Sequence, residues 1–470
     1  MTHEQKHSMI WTLALTSVAL FMVSLDNLVV STALPVIRRD LHATISQLEW
    51  TVNAYTLTFA VLLLTGAALG DRFGRRRLFT LGILLFTGAS AGAALATTAN
   101  QLDIARAVQG VGGAIVAPLT LTILSAAVPP ARRGLALGIW GGIGGLAIAI
   151  GPLVGGAVVS GFSWNWIFWL NVPIGLVLAP LAYARLEETH GSDSALDLPG
   201  LALVSSGLLG IVWALVRGNA QGWTSLGIVA PLVGGAVLVA AFVWWESRTT
   251  SPMLPLEFFR NRTFTLANIA SLLMFFGMFG SIFFLAQFFQ TVQGYSPLQS
   301  GLRILPWTAM PIFIAPLAGA FSDKIGGQRL MAAGLAMQAA GLAWIAAVST
   351  PTMPYSHIIG AFVLSGIGMA LFFAPVANVV LSSVRPDQEG KASGANNAIR
   401  EVGGVFGVAV LATIFSRVGG YESSESFVHG VTTAVYVGAG LVALGAVAAA
   451  LIPTSRPRRE EGAAPVVLSA

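Results

Sequence analysis

The sequence predicts an all-α membrane protein of about 14 transmembrane helices: two parallel six-helix bundles with two helices inserted between them. Three observations carry this. Of 470 residues, 55% are hydrophobic and only 10% charged, with a mean hydropathy of +0.77. A water-soluble chain carries roughly 25% charged residues, so lipid must solvate most of this one. Apolar runs long enough to cross a bilayer recur along the whole chain, and a short charged turn appears once in each half.

A span needs about 20 mostly apolar residues. In chain order such runs lie near 10–34, 47–69, 78–98, 101–124, 134–159 and 165–185, then 197–217 and 226–246. They continue near 263–290, 299–322, 328–349, 356–382, 393–416 and 428–452. The first run follows Lys6 but is too long for the apolar core of a signal peptide, so it reads as a retained span. The 299–322 run is interrupted by Pro306, Pro311 and Pro316. The outer turn Trp164–Trp169 reads as an interfacial aromatic anchor.

The charged turn is Gly70-Asp71-Arg72-Phe73-Gly74-Arg75-Arg76-Arg77. At an offset of 252 residues Asp71 meets Asp323, Gly74 meets Gly326 and Arg77 meets Arg329. At an offset of 256, Gly112 meets Gly368, Pro130 meets Pro386 and Gly138 meets Gly394. The duplicated bundles are therefore 9–185 and 262–453, with 197–246 an unduplicated insertion and 454–470 a tail. Parallel repeats of this kind place a substrate site near the midplane between them.

An even number of spans puts both termini on one side. If that side is the cytoplasm, only Arg38, Arg39, Arg217, Arg303 and Arg417 lie outside, and Arg106 and Arg400 lie within spans. The other 18 of the 25 Lys and Arg residues are then cytoplasmic, as the positive-inside rule requires. The net charge of +5 thus reflects topology and not a nucleic-acid partner. Cysteine is absent and the six histidines are scattered without ligand spacing, so neither thiolate chemistry nor a metal site is expected. Gly390-Lys391-Ala392-Ser393 lacks the first glycine and the hydroxyl of a phosphate loop, so no ATP site is expected, and no nucleophile–base constellation suggests an enzyme.

The fifth span carries Gly141, Gly145, Gly151, Pro152, Gly155 and Gly156, a notched surface on which another helix can pack closely. Ionisable residues inside spans are costly, roughly 2.5–3.5 kcal/mol at the bilayer centre, so pairing or function is their default explanation. Asp26 lies about 14 Å below the outer end of its helix and Arg106 about 9 Å below its own, taking 1.5 Å per residue, so the two can meet. A carboxylate beside an arginine stays ionised, and motion that parts them frees Asp26 to take a proton. Glu401, some 14 Å into the thirteenth span, is a third proton-coupling candidate; neighbouring Arg400 points about 100° away. Phenylalanines crowd the ninth span from Phe275 to Phe289 beside Gln287 and Gln290, a candidate greasy pocket to which Asn53, Tyr55 and Phe372 are added.

These motifs resemble those of the fourteen-helix drug:proton antiporters of the major facilitator superfamily (the EmrB/QacA type). The turn at Asp71–Arg77 matches the loop signature after the second helix, although Ala67 stands where the family usually has glycine. Gly141 to Gly156 matches the antiporter motif of exporters. Leu25-Asp26, Ala33-Leu34-Pro35, Trp50, Asn171-Val172-Pro173, Gln293–Pro297 and the inserted helix pair extend the likeness over nearly the whole chain. The resemblance implies alternating access with the first, fourth, ninth and twelfth helices around the cavity. It also implies conformational switches at Asp71, Arg72, Gly74, Arg75, Asp323 and Gly326, with Asp71 and Arg75 docking on the thirteenth helix. Implied partners are protons, an amphipathic small molecule and the lipid bilayer of the cell membrane, with no cofactor and a monomeric chain. An exporter of an envelope lipid or glycolipid, or a passive facilitator of a metabolite, is the alternative on the same fold.

Overall fold

The computed structural model describes residues 3–190, 197–385 and 388–453, and all regular structure among them is helical. The first half contains α1 (His3–Asp40), α2 (Ile45–Phe73), α3 (Arg75–Ala94), α4 (Ala99–Ala127) and α5 (Pro130–Gly161). The short α6 (Trp166–Trp169) leads into α7 (Asn171–Arg185), followed by the central pair α8 (Leu198–Gln221) and α9 (Leu226–Glu246). The second half contains α10 (Arg262–Gln287), prolonged by a π-helical turn Phe288–Val292, then α11 (Pro297–Thr308) and α12 (Met310–Ile325). It ends with α13 (Gly327–Val348), α14 (Ser356–Leu381), α15 (Glu389–Val418) and α16 (Ser424–Ala450).

Eleven helices among the described residues are long and apolar enough to cross a bilayer, and α2, bent by 51° between Leu63 and Thr65, makes a twelfth. The predicted 299–322 span is two helices, α11 and α12, parted at Ala309. Pro311 sits in the first turn of α12, where its missing N–H breaks no helical bond. Polar residues start the helices by accepting free backbone N–H groups. Thr44 with Gln47 and Ser296 with Gln299 form capping boxes at α2 and α11.

The two charged turns share one backbone shape. Gly74 has φ 105° and ψ 123°, Gly326 φ 98° and ψ 123°, and each N–H closes a helical turn, on Gly70 O at 3.0 Å and Ser322 O at 2.9 Å. Only glycine holds this conformation without strain. Gly74→Val is expected to cost about 1–3 kcal/mol, read as a lowered unfolding midpoint in detergent against Gly88→Val, whose added Cβ meets nothing within 4 Å.

Packing follows the duplication. α1 lies on α5, α3 on α4 and α7, and their counterparts repeat this, α10 on α15 and α13 on α14 and α16. The halves join through an exchanged pair of contacts, α5 with α11 and α2 with α15, together with α1 against α10. α8 and α9 pack on each other, and α8 leans on α2 and α15. The aromatic turn expected at the interface is mostly internal: Trp164 and Phe168 are buried, Trp169 is partly buried and Trp166 is exposed. The predicted tail 454–470 lies outside the described residues.

Candidate functional site

Between the halves lies a cavity of about 640 Å³ that runs from the core to the side carrying Asp71. α1 contributes Ser24 and Asn27, α2 Phe59 and Leu63, α10 Phe275, Met278 and Phe279, α14 Phe373, and α15 Asn397, Arg400 and Glu401. α4 also reaches the wall, so all four helices expected there contribute, with α2 and α15 besides. Pro252 and Met253, from the segment after α9, lie at the mouth, and Thr65 at the bend of α2 donates to Met253 Sδ at 3.7 Å. The wall is mainly apolar; its charged residues are Asp71 and Asp197 and, on α15, Lys391, Arg400 and Glu401. The Arg400 guanidinium lies 4.4 Å from the Phe275 ring centre and 5.0 Å from that of Phe373, and Arg400 donates to Asn397 Oδ1 at 3.2 Å. Glu401 Oε2 is buried with no hydrogen-bond partner among the described residues, and no ion pair forms between the two neighbours.

Asp26 lies on the other flank of α1, off the cavity wall and 4% exposed. Its Oδ2 accepts from Arg106 at 2.5 Å, and its Oδ1 accepts from Gln109 Nε2 at 2.8 Å and Asn171 Nδ2 at 2.7 Å. Arg106 also donates to Gln109 Oε1 at 2.7 Å and, through Nε, to Thr51 O at 3.1 Å, while the Tyr55 ring stacks 4.2 Å from its guanidinium. Gln109 further donates to Ser90 Oγ at 2.8 Å. Four helices, α1, α2, α4 and α7, thus meet on one charge pair whose lone pairs and protons are largely used. Such saturation is what makes a buried ion pair tolerable in lipid.

The side opposite Asp71 is closed. A Cβ on Gly156 would strike the backbone of Pro297 and Leu298, and one on Gly301 the carbonyl of Pro152, so α5 and α11 touch backbone to backbone. Gly151 packs against the Leu28 side chain of α1, and Gly155 against the Thr32 hydroxyl and the Val29 carbonyl. Gln290 donates to Thr32 O at 2.8 Å, Leu298 N to Ser160 Oγ at 2.9 Å, and the Arg38 guanidinium sits 3.5 Å over the Tyr421 ring. Of the glycines expected to mark an antiporter motif, Gly156 therefore lies in the closing seam between halves, while Gly151 and Gly155 pack α5 on α1 within one half. Gly141 and Gly145 are also on α5, but their surroundings lie outside those described.

A family profile described as the Major Facilitator Superfamily matches residues 16–408 and 308–467. The chain belongs to the Major Facilitator Superfamily. It is 34% identical over 415 residues to the tetracenomycin C resistance and export protein of Streptomyces glaucescens, covering 87% of this chain and 76% of that one. It is 35% identical over 407 residues to the multidrug resistance protein Stp of Mycobacterium tuberculosis (strain CDC 1551 / Oshkosh), covering 86% and 75%. In fold it is similar to the inward-open xylose transporter XylE from E. coli, with a TM-score of 0.65 at 14% identity, covering 96% of this chain and 98% of that one.

Several residues expected from the sequence at the pocket or the switch sit elsewhere. None of Asn53, Tyr55, Gln287, Gln290 and Phe372 reaches the cavity wall. Tyr55 is committed to Arg106, Gln290 to the closing seam, and Gln287 donates to Phe283 O and accepts from the Tyr421 hydroxyl. Phe372 is fully buried while its neighbour Phe373 faces the cavity, one position apart on the helix. Asp71 accepts from Arg75 Nε at 2.8 Å within its own turn. That turn is tied to Glu188, which accepts from Arg76 N at 2.9 Å and lies 3.6 Å from both Arg76 and Arg77. Among the described residues no hydrogen bond or ion pair joins Asp71 or Arg75 to α15. Arg72 is exposed beside Phe73, and the side chain of Asp323 lies outside those described. Asn171 enters from sequence only through the family likeness, with no role attached, and Glu188, Gln109 and Ser90 carry no sequence reading of their own; the spacing of Gln109 three residues after Arg106 is the one available signal.

Glu188→Gln removes the charge that holds Arg76 and Arg77. The expected outcome is a turnover change of several-fold with unchanged dye binding, measured by transport and fluorescence titration on the same preparation.

Proposed function

We propose that this superfamily member is a proton-coupled antiporter of the fourteen-helix drug:proton branch, exporting amphipathic small molecules by alternating access. It sits in the cell membrane with both termini and the Asp71 turn in the cytoplasm, needs no cofactor or ATP, and acts as a monomer. The observation that carries the reading is the separation of two sites within one half-and-half assembly. Asp26 is held by Arg106, Gln109 and Asn171 behind α1, while the adjacent cavity is apolar, aromatic and open on the Asp71 side. Relatives named for tetracenomycin C export and multidrug resistance support the substrate class. Apolar walls bind greasy ring systems with little directional demand, and Glu401 and Arg400 offer either sign of charge to a polar end.

Coupling follows from α1, which carries the cavity wall on one flank and Asp26 on the other. Rotation of α1 as the halves rock lengthens the contacts to α4 and α7. Asp26 then loses the donors that hold it ionised and takes a proton; their return expels it. The test is purified protein in liposomes with an imposed pH gradient, offered a cationic dye, a neutral macrolide and a sugar. Gradient-dependent movement of dye or macrolide supports the reading, and gradient-independent equilibration of the sugar overturns it.

A further inference from the structure

One buried acid is used by none of these steps. Glu49, in the first turns of α2 on the closed side, is 2% exposed, and its Oε2 has no hydrogen-bond partner among the described residues. Asn53, one turn further along α2, is fully buried, and neither its Oδ1 nor its Nδ2 has a partner among the described residues. Residues four apart share a helix face, so the two make a polar strip. That strip is on a different face of α2 from Thr51 and Tyr55, which turn to Asp103 and Arg106 of α4.

Above the strip is the latch between halves, the Arg38 guanidinium of α1 stacked on Tyr421 from the turn between α15 and α16. Burial raises the proton affinity of the Tyr421 hydroxyl, the Arg38 guanidinium 3.5 Å over its ring lowers it, and the Glu49 carboxylate raises it. Arg38 nonetheless makes no ion pair with Glu49. The charged and titratable groups around Glu49 are thus Arg38 on α1, Tyr421 beyond α15 and, across α2, Asp103 bound to Thr51 Oγ1 at 2.9 Å. None of them neutralises it.

An ionised carboxylate buried without a partner is strongly unfavourable in lipid, whereas a carboxylic acid is not. We propose that Glu49 is the proton-sensing residue of the outer gate: the outer side closes, with Arg38 latched on Tyr421, only after Glu49 has taken a proton from the outer solution. The inference rests on the alternating-access reading and extends it. The balance is simple: the carboxylate gains one proton from hydronium outside on closing and returns it to the same side on opening. Glu49 therefore contributes nothing to the protons carried across. It makes closure dependent on external acidity, which is the condition under which an inward proton gradient exists. The sign is fixed: the closed form binds the extra proton, so acid favours closure and rising pH favours opening.

The test uses the absence of native cysteine. Spin labels at Asp40→Cys and Glu425→Cys, both at exposed outer positions, report the gap between α1 and α16 by double electron–electron resonance in nanodiscs. The measurement is made in Asp26→Asn, because Asp26 takes a proton on the same opening and offsets the Glu49 response. From pH 5 to 8.5 its open-to-closed ratio is expected to rise by up to about tenfold per pH unit, the limit for one coupled proton. Adding Glu49→Gln or Glu49→Ala, which carry no titrating group, should hold the protein closed across the range, while adding Glu49→Asp should keep the pH response. The inference is overturned if Asp26→Asn shows no pH-dependent opening, or if the Asp26→Asn, Glu49→Gln protein opens with pH as Asp26→Asn does. Gradient-driven transport by Glu49→Gln alone is a separate readout, so loss of the gate inference leaves the antiport reading to stand or fall on its own data.

Discussion

Asp26→Asn is expected to abolish gradient-driven accumulation of substrate, lowering it at least tenfold, while leaving substrate exchange without a gradient nearly intact. Asparagine keeps an oxygen for Arg106 and has nearly the size of the native side chain; its amide nitrogen no longer accepts from Gln109 and Asn171, which both keep Ser90 Oγ as an acceptor. What it loses is the ability to take and release a proton. Arg106→Ala is the contrasting change. It strands Asp26 in a site that is 4% exposed and removes one partner of a buried pair, a loss of about 3–5 kcal/mol. The expected outcome is a large fall in thermal stability, and in expression, that Asp26→Asn does not share. Unfolding midpoints and gradient-driven uptake measured on both proteins separate coupling from structure.

Gly156→Val is expected to bias the protein away from the form described here. On α5 this position faces the Pro297 carbonyl, and an added Cβ would also lie 2.8 Å from Leu298 Cα, so α11 must move away. Backbone cannot rotate aside as a flexible side chain can. The seam therefore opens on the side opposite Asp71, and transport falls at least tenfold because the closed outer form is no longer reached. Gly301→Val on α11, whose Cβ would meet the Pro152 carbonyl, should reproduce the effect from the other half. Gly161→Val, at the far end of α5 where an added Cβ meets nothing within 4 Å, should leave transport within about twofold. Spin-label distances across the seam give the populations directly.

Much of this architecture is legible in the sequence because lipid imposes length and composition on every span. The repeated Asp–Gly–Arg turn also survives into identical backbone shape at Gly74 and Gly326. The Asp26–Arg106 pair is legible for a related reason: two opposite charges in separate spans at similar depth have few other ways to be stable. The cavity wall is not. α10 is apolar on nearly every face, so hydrophobic periodicity does not tell which phenylalanines face the cavity. Phe275 and Phe279 do, Phe276, Phe283 and Phe284 do not, and the difference is helix rotation alone. The same ambiguity misplaced Phe372 for Phe373 and put Gln290 in the pocket when it bridges to α1. Glu188 escaped notice because it follows the last apolar residues of its span, where a carboxylate is unremarkable, and its importance lies in what folds back onto it. Glu49 is hidden likewise at the start of a span, where a carboxylate is unremarkable in sequence although it is 2% exposed in the fold.

Obligatory exchange is the central claim, and the most direct measurement is proton movement itself. Liposomes carrying the protein and a lumenal pH indicator, with no initial pH gradient, are given an inward gradient of a transported dye. The account predicts that dye entry drives protons out, making the lumen alkaline in the parent protein and leaving it unchanged with Asp26→Asn. Dye entry at the parent rate with no change in lumenal pH would contradict it.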